Sequence, residues 1–299
     1  MKDGKLLGMA ILPAFFYALC LILSPFCLSE AYAFGDGQEW RRLVDQGDSL
    51  FEKGAFHAAA TVYQQASDLK PEDWQVRLRL GRAYARTGRD DQAMAELFQS
   101  LVLNQKYPTL NADTRCEIAC LLMKKGNFDE AGGQLKQVLE LRPEDDVVRG
   151  NYAICLDRIG FIDLAINELR IIIKHNPVSE IAYYDLGYCY LRKNEYQLAA
   201  ACFRRAASIK PSNASSYVGL ARALMGMDKD RLAVGVLKKA LEVDKSCHFA
   251  WLALADAYEK LDNKPLAVEA YKKAVQMKPD DPMTKAALAK LLANSTITR

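Results

Sequence analysis

Apolar and small residues recur along this chain with the spacing of paired helices. Within Glu180–Asn213, Tyr183, Leu186, Gly187 and Tyr190 fall at i, i+3, i+4 and i+7, which is one stripe of a helix. A polar break at Lys193–Asn194–Glu195 follows. A second stripe then runs through Ala199, Phe203 and Ala206. Pro211 ends it, because proline cannot continue a helix. The stretch is predicted to be a helical hairpin.

The same hairpin is written seven times. Units start at Trp40, Trp74, Ala112, Asp146, Glu180, Ala214 and His248, giving spans 40–73, 74–111, 112–145, 146–179, 180–213, 214–247 and 248–281. The twentieth position of every unit is alanine: Ala59, Ala93, Ala131, Ala165, Ala199, Ala233 and Ala267. The eighth is always glycine or alanine, as in Gly47, Gly81 and Gly187. Small residues there let the two helices approach closely, and large residues at positions four, seven, eleven and twenty-four fill the space around them. Neither helix can bury its stripe alone, so each pair requires the next.

Two features depart from the regular period. The unit from Trp74 has 38 residues instead of 34, with the surplus in Asn104–Asn111. Four residues either lengthen the second helix by about one turn or bulge the loop. After the seventh unit, Asp281 suits an N-cap and Pro282 the first helical position. Leu288, Ala289 and Leu292 would then continue positions seven, eight and eleven, so 282–299 is expected to be a capping helix and tail over the last apolar face.

The pattern Tyr183-x-x-Leu186-Gly187-x-x-Tyr190, then Ala199-x-x-x-Phe203-x-x-Ala206, then Pro211 resembles the tetratricopeptide repeat. So do Trp251, Leu254, Ala255, Tyr258, Ala267, Tyr271, Ala274 and Pro279 in the last unit. The resemblance implies an all-α fold, a right-handed α-solenoid of seven repeats plus the capping helix. It also implies a protein or peptide partner held on the concave side, and the residues themselves offer no catalytic constellation, so no enzyme is expected.

The start of the chain has a different character. Lys2 and Lys5 precede an almost wholly apolar run from Leu6 to Leu28, and Ala31-Tyr32-Ala33 follows. This is the layout of a signal peptide, 1–33, cut after Ala33, with 34–39 a Gly/Asp linker. The alternative is an uncleaved anchor, since the apolar run is long enough to span a bilayer and would tie the protein to the inner membrane through residues 1–28. Both readings put the repeats outside the cytoplasm, periplasmic or secreted in the first case and facing the periplasm in the second.

Charge and candidate chemistry narrow the function further. The 40 basic and 37 acidic residues give a net charge of +3 and no block of one sign, so nothing favours nucleic acid. There is no Cys-x-x-Cys, no glycine-rich phosphate loop and no His-Glu-x-x-His. Cys116 and Cys120 share a predicted helix face, but no histidine is near them in sequence, and no metal or other cofactor is expected. The acidic pairs Asp90-Asp91, Asp145-Asp146 and Asp280-Asp281 precede predicted helices, where they complement free N–H groups.

What remains is a binding surface. The resemblance implies that positions two, five, nine, twelve and thirteen of each first helix line the groove. Carried onto this chain, the positions singled out are Arg158, Ile181, Tyr184, Tyr188, Arg192 and Arg222. Tyr and Arg dominate the energetics of many interfaces. The expected function is a scaffold or adaptor outside the cytoplasm, working in assembly of a cell-envelope, secretion, pilus or polysaccharide complex. The alternatives are a membrane-anchored structural subunit and an accessory part of an enzyme complex.

Overall fold

The computed structural model describes residues 25–296, with side chains from residue 37 to 293 apart from Pro108. Residues 1–24, which hold most of the expected export signal, lie outside it. Every element among the described residues is helical. The first hairpins are α1 (Pro25–Glu52) with α2 (Phe56–Leu69) and α3 (Trp74–Arg86) with α4 (Asp90–Leu103). A 3-10 turn, Pro108–Asn111, leads into α5 (Ala112–Lys125), followed by α6 (Phe128–Leu141), α7 (Asp146–Arg158) and α8 (Ile162–His175). Then come α9 (Glu180–Arg192), α10 (Tyr196–Ile209), α11 (Ala214–Gly226), α12 (Asp230–Val243), α13 (His248–Lys260), α14 (Lys264–Met277) and α15 (Pro282–Thr296).

Two local devices set the hairpins. The first is the N-cap. Asp73 Oδ1 accepts from the backbone N–H of Gln75 at 2.8 Å, and Asp145, Ser179 and Asn213 cap α7, α9 and α11 in the same way. The second is the stop at position fifteen. Gly54, Gly88, Gly126, Gly160, Asn194, Asp228 and Asp262 all lie in the left-handed region, with φ between 53° and 96°. Only glycine, and less readily Asn or Asp, adopts this conformation at low cost. The chain then turns back on itself, as where Glu195 N–H donates to Tyr190 O at 2.9 Å.

Packing within a hairpin is small against large. All seven alanines at position twenty have zero exposure. The eighth position lies beneath the side chain at position twenty-four. A Cβ on Gly47 would come within 2.5 Å of the Tyr63 ring, one on Gly81 within 2.7 Å of Leu97, and one on Gly187 within 2.8 Å of Phe203.

The chain divides into two compact units, Met1–Leu121 and Leu122–Arg299. The first has a small core of Leu43, Val44, Val62, Ala66 and Val76. The second has two larger clusters, one around Leu169, Leu186, Tyr190 and Phe203 and one around Tyr217, Leu237, Leu254 and Tyr271.

Three sequence expectations are refined. The surplus of the second repeat bulges the loop: α4 keeps the 14 residues of the other second helices, and the extra residues form the 3-10 turn. Asn111 Nδ2 donates to Asn104 O at 3.0 Å across that turn, and both asparagines are buried. Residues 34–39, expected as a linker, are helical and belong to α1. Gly35 and Gly37 cost a helix only about 1 kcal/mol each, which weakens it without ending it. In α15 the buried stripe is Thr284, Ala287, Leu288 and Leu291, while Ala289 and Leu292 are exposed. The Asp281 cap fixes this rotation. Its Oδ2 accepts from Thr284 N–H at 3.3 Å and from the Thr284 hydroxyl, which draws Thr284 inward.

Candidate binding groove

The residues singled out from the sequence fall together in the second compact unit, on α7, α9 and α11. Two cavities lie there between the fourth and fifth repeats. One, of about 450 Å³, has Ala153, Leu169 and Cys189 among its walls and Asp157, Arg158, Asp185, Tyr188 and Arg192 at its polar edge. The other, of about 300 Å³, adds Val147, Asn151 and Ile181. Ile154, Leu169 and Asp185 line both, so the two are contiguous. Val147 is 78% and Ile181 69% exposed, so two large aliphatic side chains stand in solvent at the mouth.

The two tyrosines are half-buried. Tyr184 and Tyr188 meet edge to face, centroids 4.9 Å apart, and both pack edge-on against Phe203 at 5.8 and 5.2 Å. Their hydroxyls lie 3.5 Å apart. Burial, followed by the hydrogen bond to Tyr188, holds the Tyr184 phenol well above its ordinary range, so it stays neutral. The aromatic cluster is thus fixed from beneath by a ring that is itself held between Gly187 and Gly219.

The arginines have separate roles. Arg192 Nη1 lies 2.8 Å from Asp157 Oδ1 and also donates to the Asp157 backbone oxygen. Lys260, at the same repeat position, donates to Met225 O at 2.9 Å. In both cases a cation at position thirteen satisfies a carbonyl at the end of the preceding first helix, which is favourable for the helix dipole. Arg158 stacks 4.9 Å over the Phe128 ring, and Arg222 is exposed.

Asp185 was not singled out from the sequence. It stands at position six of its repeat, and Ile154 at position nine of the preceding one lines both cavities with it. At the two junctions of the first three repeats these two positions carry matched charges. Arg79 Nε lies 2.9 Å from Asp48, and Arg82 Nε 2.8 Å from Glu117. Comparing positions six and nine in successive repeats would have revealed the mismatch. Burial, with Glu180 and Asp157 adding to it, raises the Asp185 carboxyl to about 6. Cys189, in the wall, is pushed up to about 12 by burial and has no thiolate character near neutrality.

A larger cavity, about 510 Å³, lies between the sixth and seventh repeats beside Leu241, Trp251, Leu254 and Tyr258. Its edge mixes Lys238 and Lys245 with Glu242 and Glu269, so it has no charge preference. Among the described residues no group of His, Cys, Asp and Glu is placed to hold a metal ion.

Stacked helical hairpins with fully buried alanines at one fixed position define an all-helical repeat protein. The chain belongs to the tetratricopeptide repeat family: one pattern of that family matches residues 44–111, 156–214 and 218–282, and a second matches 112–145. Proteins of this architecture are protein–protein interaction scaffolds. The BBSome complex member BBS4 of Bos taurus is 28% identical over 129 residues, and its Mus musculus counterpart is 26% identical. The matched stretch is 43% of this chain but only 22% of those relatives, so the likeness covers a fraction of their length. Among solved structures, a tetratricopeptide repeat protein from Parabacteroides merdae superposes with TM-score 0.72 at 18% identity, covering 85% of this chain and 99% of that one. The C-terminal part of a repeat protein from Cytophaga hutchinsonii gives 0.60 at 21%, covering 82% and 99%. At these identities the likeness is one of fold.

Proposed function

We propose that this chain is an exported, non-enzymatic scaffold that holds a segment of a partner protein in the groove between its fourth and fifth repeats. The observation that carries this reading is the pair of contiguous cavities, fronted by exposed Val147 and Ile181 and bordered by Tyr188, against which Tyr184 packs. Arg158 and Arg222 stand on the same set of first helices and extend the surface. Membership of a complex agrees with the curated relatives, which are named as members of one. The cell-envelope setting, in assembly of a secretion, pilus or polysaccharide machine, rests on residues 1–33 of the sequence. Among the described residues no helix is long and apolar enough to cross a membrane, and residues 1–24, which hold most of the apolar run, lie outside them.

The test is affinity purification from the native cell, comparing the wild-type chain with Tyr188→Arg and quantifying co-purified proteins. The proposal predicts one or a few partners depleted at least tenfold by the substitution, with circular dichroism unchanged. An unchanged partner set would point to attachment through another face. Fractionation with N-terminal sequencing tests export: a mature chain beginning at Phe34 supports cleavage, and an intact membrane-bound chain supports the anchored alternative.

A further inference from the structure

The groove has a charge preference that its arginines conceal. Of the two cations that line it, Arg192 is already engaged with Asp157, both through the carboxylate and through the backbone oxygen. Arg158 lies over Phe128. Glu180 accepts from Asn213 Nδ2 at 2.7 Å and from Ser216 Oγ at 3.2 Å. Asp146 is paired with His175 at 2.9 Å. Asp185 alone among these carboxylates has neither an ion pair nor a side-chain hydrogen bond, and it borders both cavities. In the first compact unit Arg79 and Glu117, at the same repeat position, each meet an opposite charge on the preceding hairpin, whereas here the facing residue is Ile154.

We propose that the groove takes a partner segment carrying a lysine or arginine whose cationic head bonds Asp185, with a neighbouring apolar side chain lying between Ile154 and Ile181. The proposal rests on the groove reading above and names the chemistry of its occupant. A half-buried carboxylate without a partner is costly, and an incoming cation recovers that cost as a charge-assisted hydrogen bond. The alkyl stem of Lys or Arg suits a site whose walls are aliphatic and whose polar atom sits at the edge. Acidic occupants are disfavoured, since Asp185, Asp157 and Glu180 lie together and only one of them is neutralised by a cation.

The experiment is selection of a random twelve-residue peptide library displayed on phage against the full chain. Selected peptides are then measured by fluorescence anisotropy on the wild type, Asp185→Asn, Asp185→Lys and Tyr188→Arg. The proposal predicts a consensus with one fixed Lys or Arg beside an aliphatic residue. Affinity should fall about ten- to a hundredfold on Asp185→Asn. Asp185→Lys should bind instead the peptide in which that basic residue is replaced by Glu. Peptides that lose binding on Tyr188→Arg but carry no fixed cation, and ignore Asp185→Asn, would overturn this inference and leave the groove reading intact. Peptides indifferent to both positions, or no enrichment at all, would overturn both.

Discussion

Arg192 lies 2.8 Å from Asp157 and also donates to its backbone oxygen, so a side chain that looks from sequence like a ligand-binding cation joins the fourth and fifth repeats. Removing it should loosen that junction. Arg192→Ala is expected to cost about 0.5–1.5 kcal/mol, because the pair is only partly exposed and the carbonyl bond is lost with it. Arg192→Lys should recover about half, as Lys260 makes the equivalent carbonyl bond with an ammonium. Urea unfolding of the three chains checks this.

Phe203 sits between two glycines of successive repeats, and the hypothetical Cβ of Gly219 falls 2.4 Å from its ring. Gly219→Ala should therefore destabilise by about 1–3 kcal/mol through overpacking. Gly235, exposed in α12 with nothing within 4 Å of its Cβ position, is the control. Gly235→Ala should stabilise by about 0.5–1 kcal/mol. If both changes had the same sign, the close packing at Phe203 would be refuted. Because the Tyr184 and Tyr188 rings rest on Phe203, Gly219→Ala should also alter the near-ultraviolet circular dichroism of the tyrosines.

The left-handed stops predict a simple gain. Asp262 has φ of 53°, where an Asp side chain is tolerated and glycine is preferred. Asp262→Gly should raise stability by about 0.5–1 kcal/mol, and Gly160→Val should lower it by about 1–2 kcal/mol. Thermal unfolding of both variants measures the pair.

Asp185 gives a pH dependence with a definite sign. Its folded-state value of about 6 lies above the ordinary 3.8. As pH rises through that interval the unfolded chain ionises first, so the contribution of Asp185 to stability is fully present below about pH 4 and is lost by the time pH passes about 6. Asp185→Asn removes this loss. The difference in unfolding free energy between variant and wild type should grow in favour of the variant by about 1–2 kcal/mol between pH 4 and 7.5, allowing for solvent screening at a half-buried group. A pH-independent difference would contradict the desolvated carboxylate.

Much of the hairpin architecture was legible because it depends on period. Small residues at positions eight and twenty identify the close contact, and Pro or Asp at unit ends identifies the turns. Position fifteen was missed because Gly, Asn and Asp look unrelated until their shared backbone conformation is seen. The rotation of α15 was missed because Leu291 and Leu292 are adjacent and equally apolar, and the cap decides which turns inward. At the candidate groove, residue types were readable but their commitments were not. Arg192 is paired and the tyrosines are half-buried, while Asp185 matters because the residue facing it is Ile154. That relationship joins two repeats and appears only when their positions six and nine are compared.

The most direct test of the groove is photo-crosslinking in intact cells from an ultraviolet-activated residue placed at position 188, with position 181 alongside and exposed position 272 on α14 as the outward control. The account predicts that 188 and 181 capture the same partner and that 272 does not. Capture from 272 alone would contradict it and mark the chain as a subunit held by its outer surface.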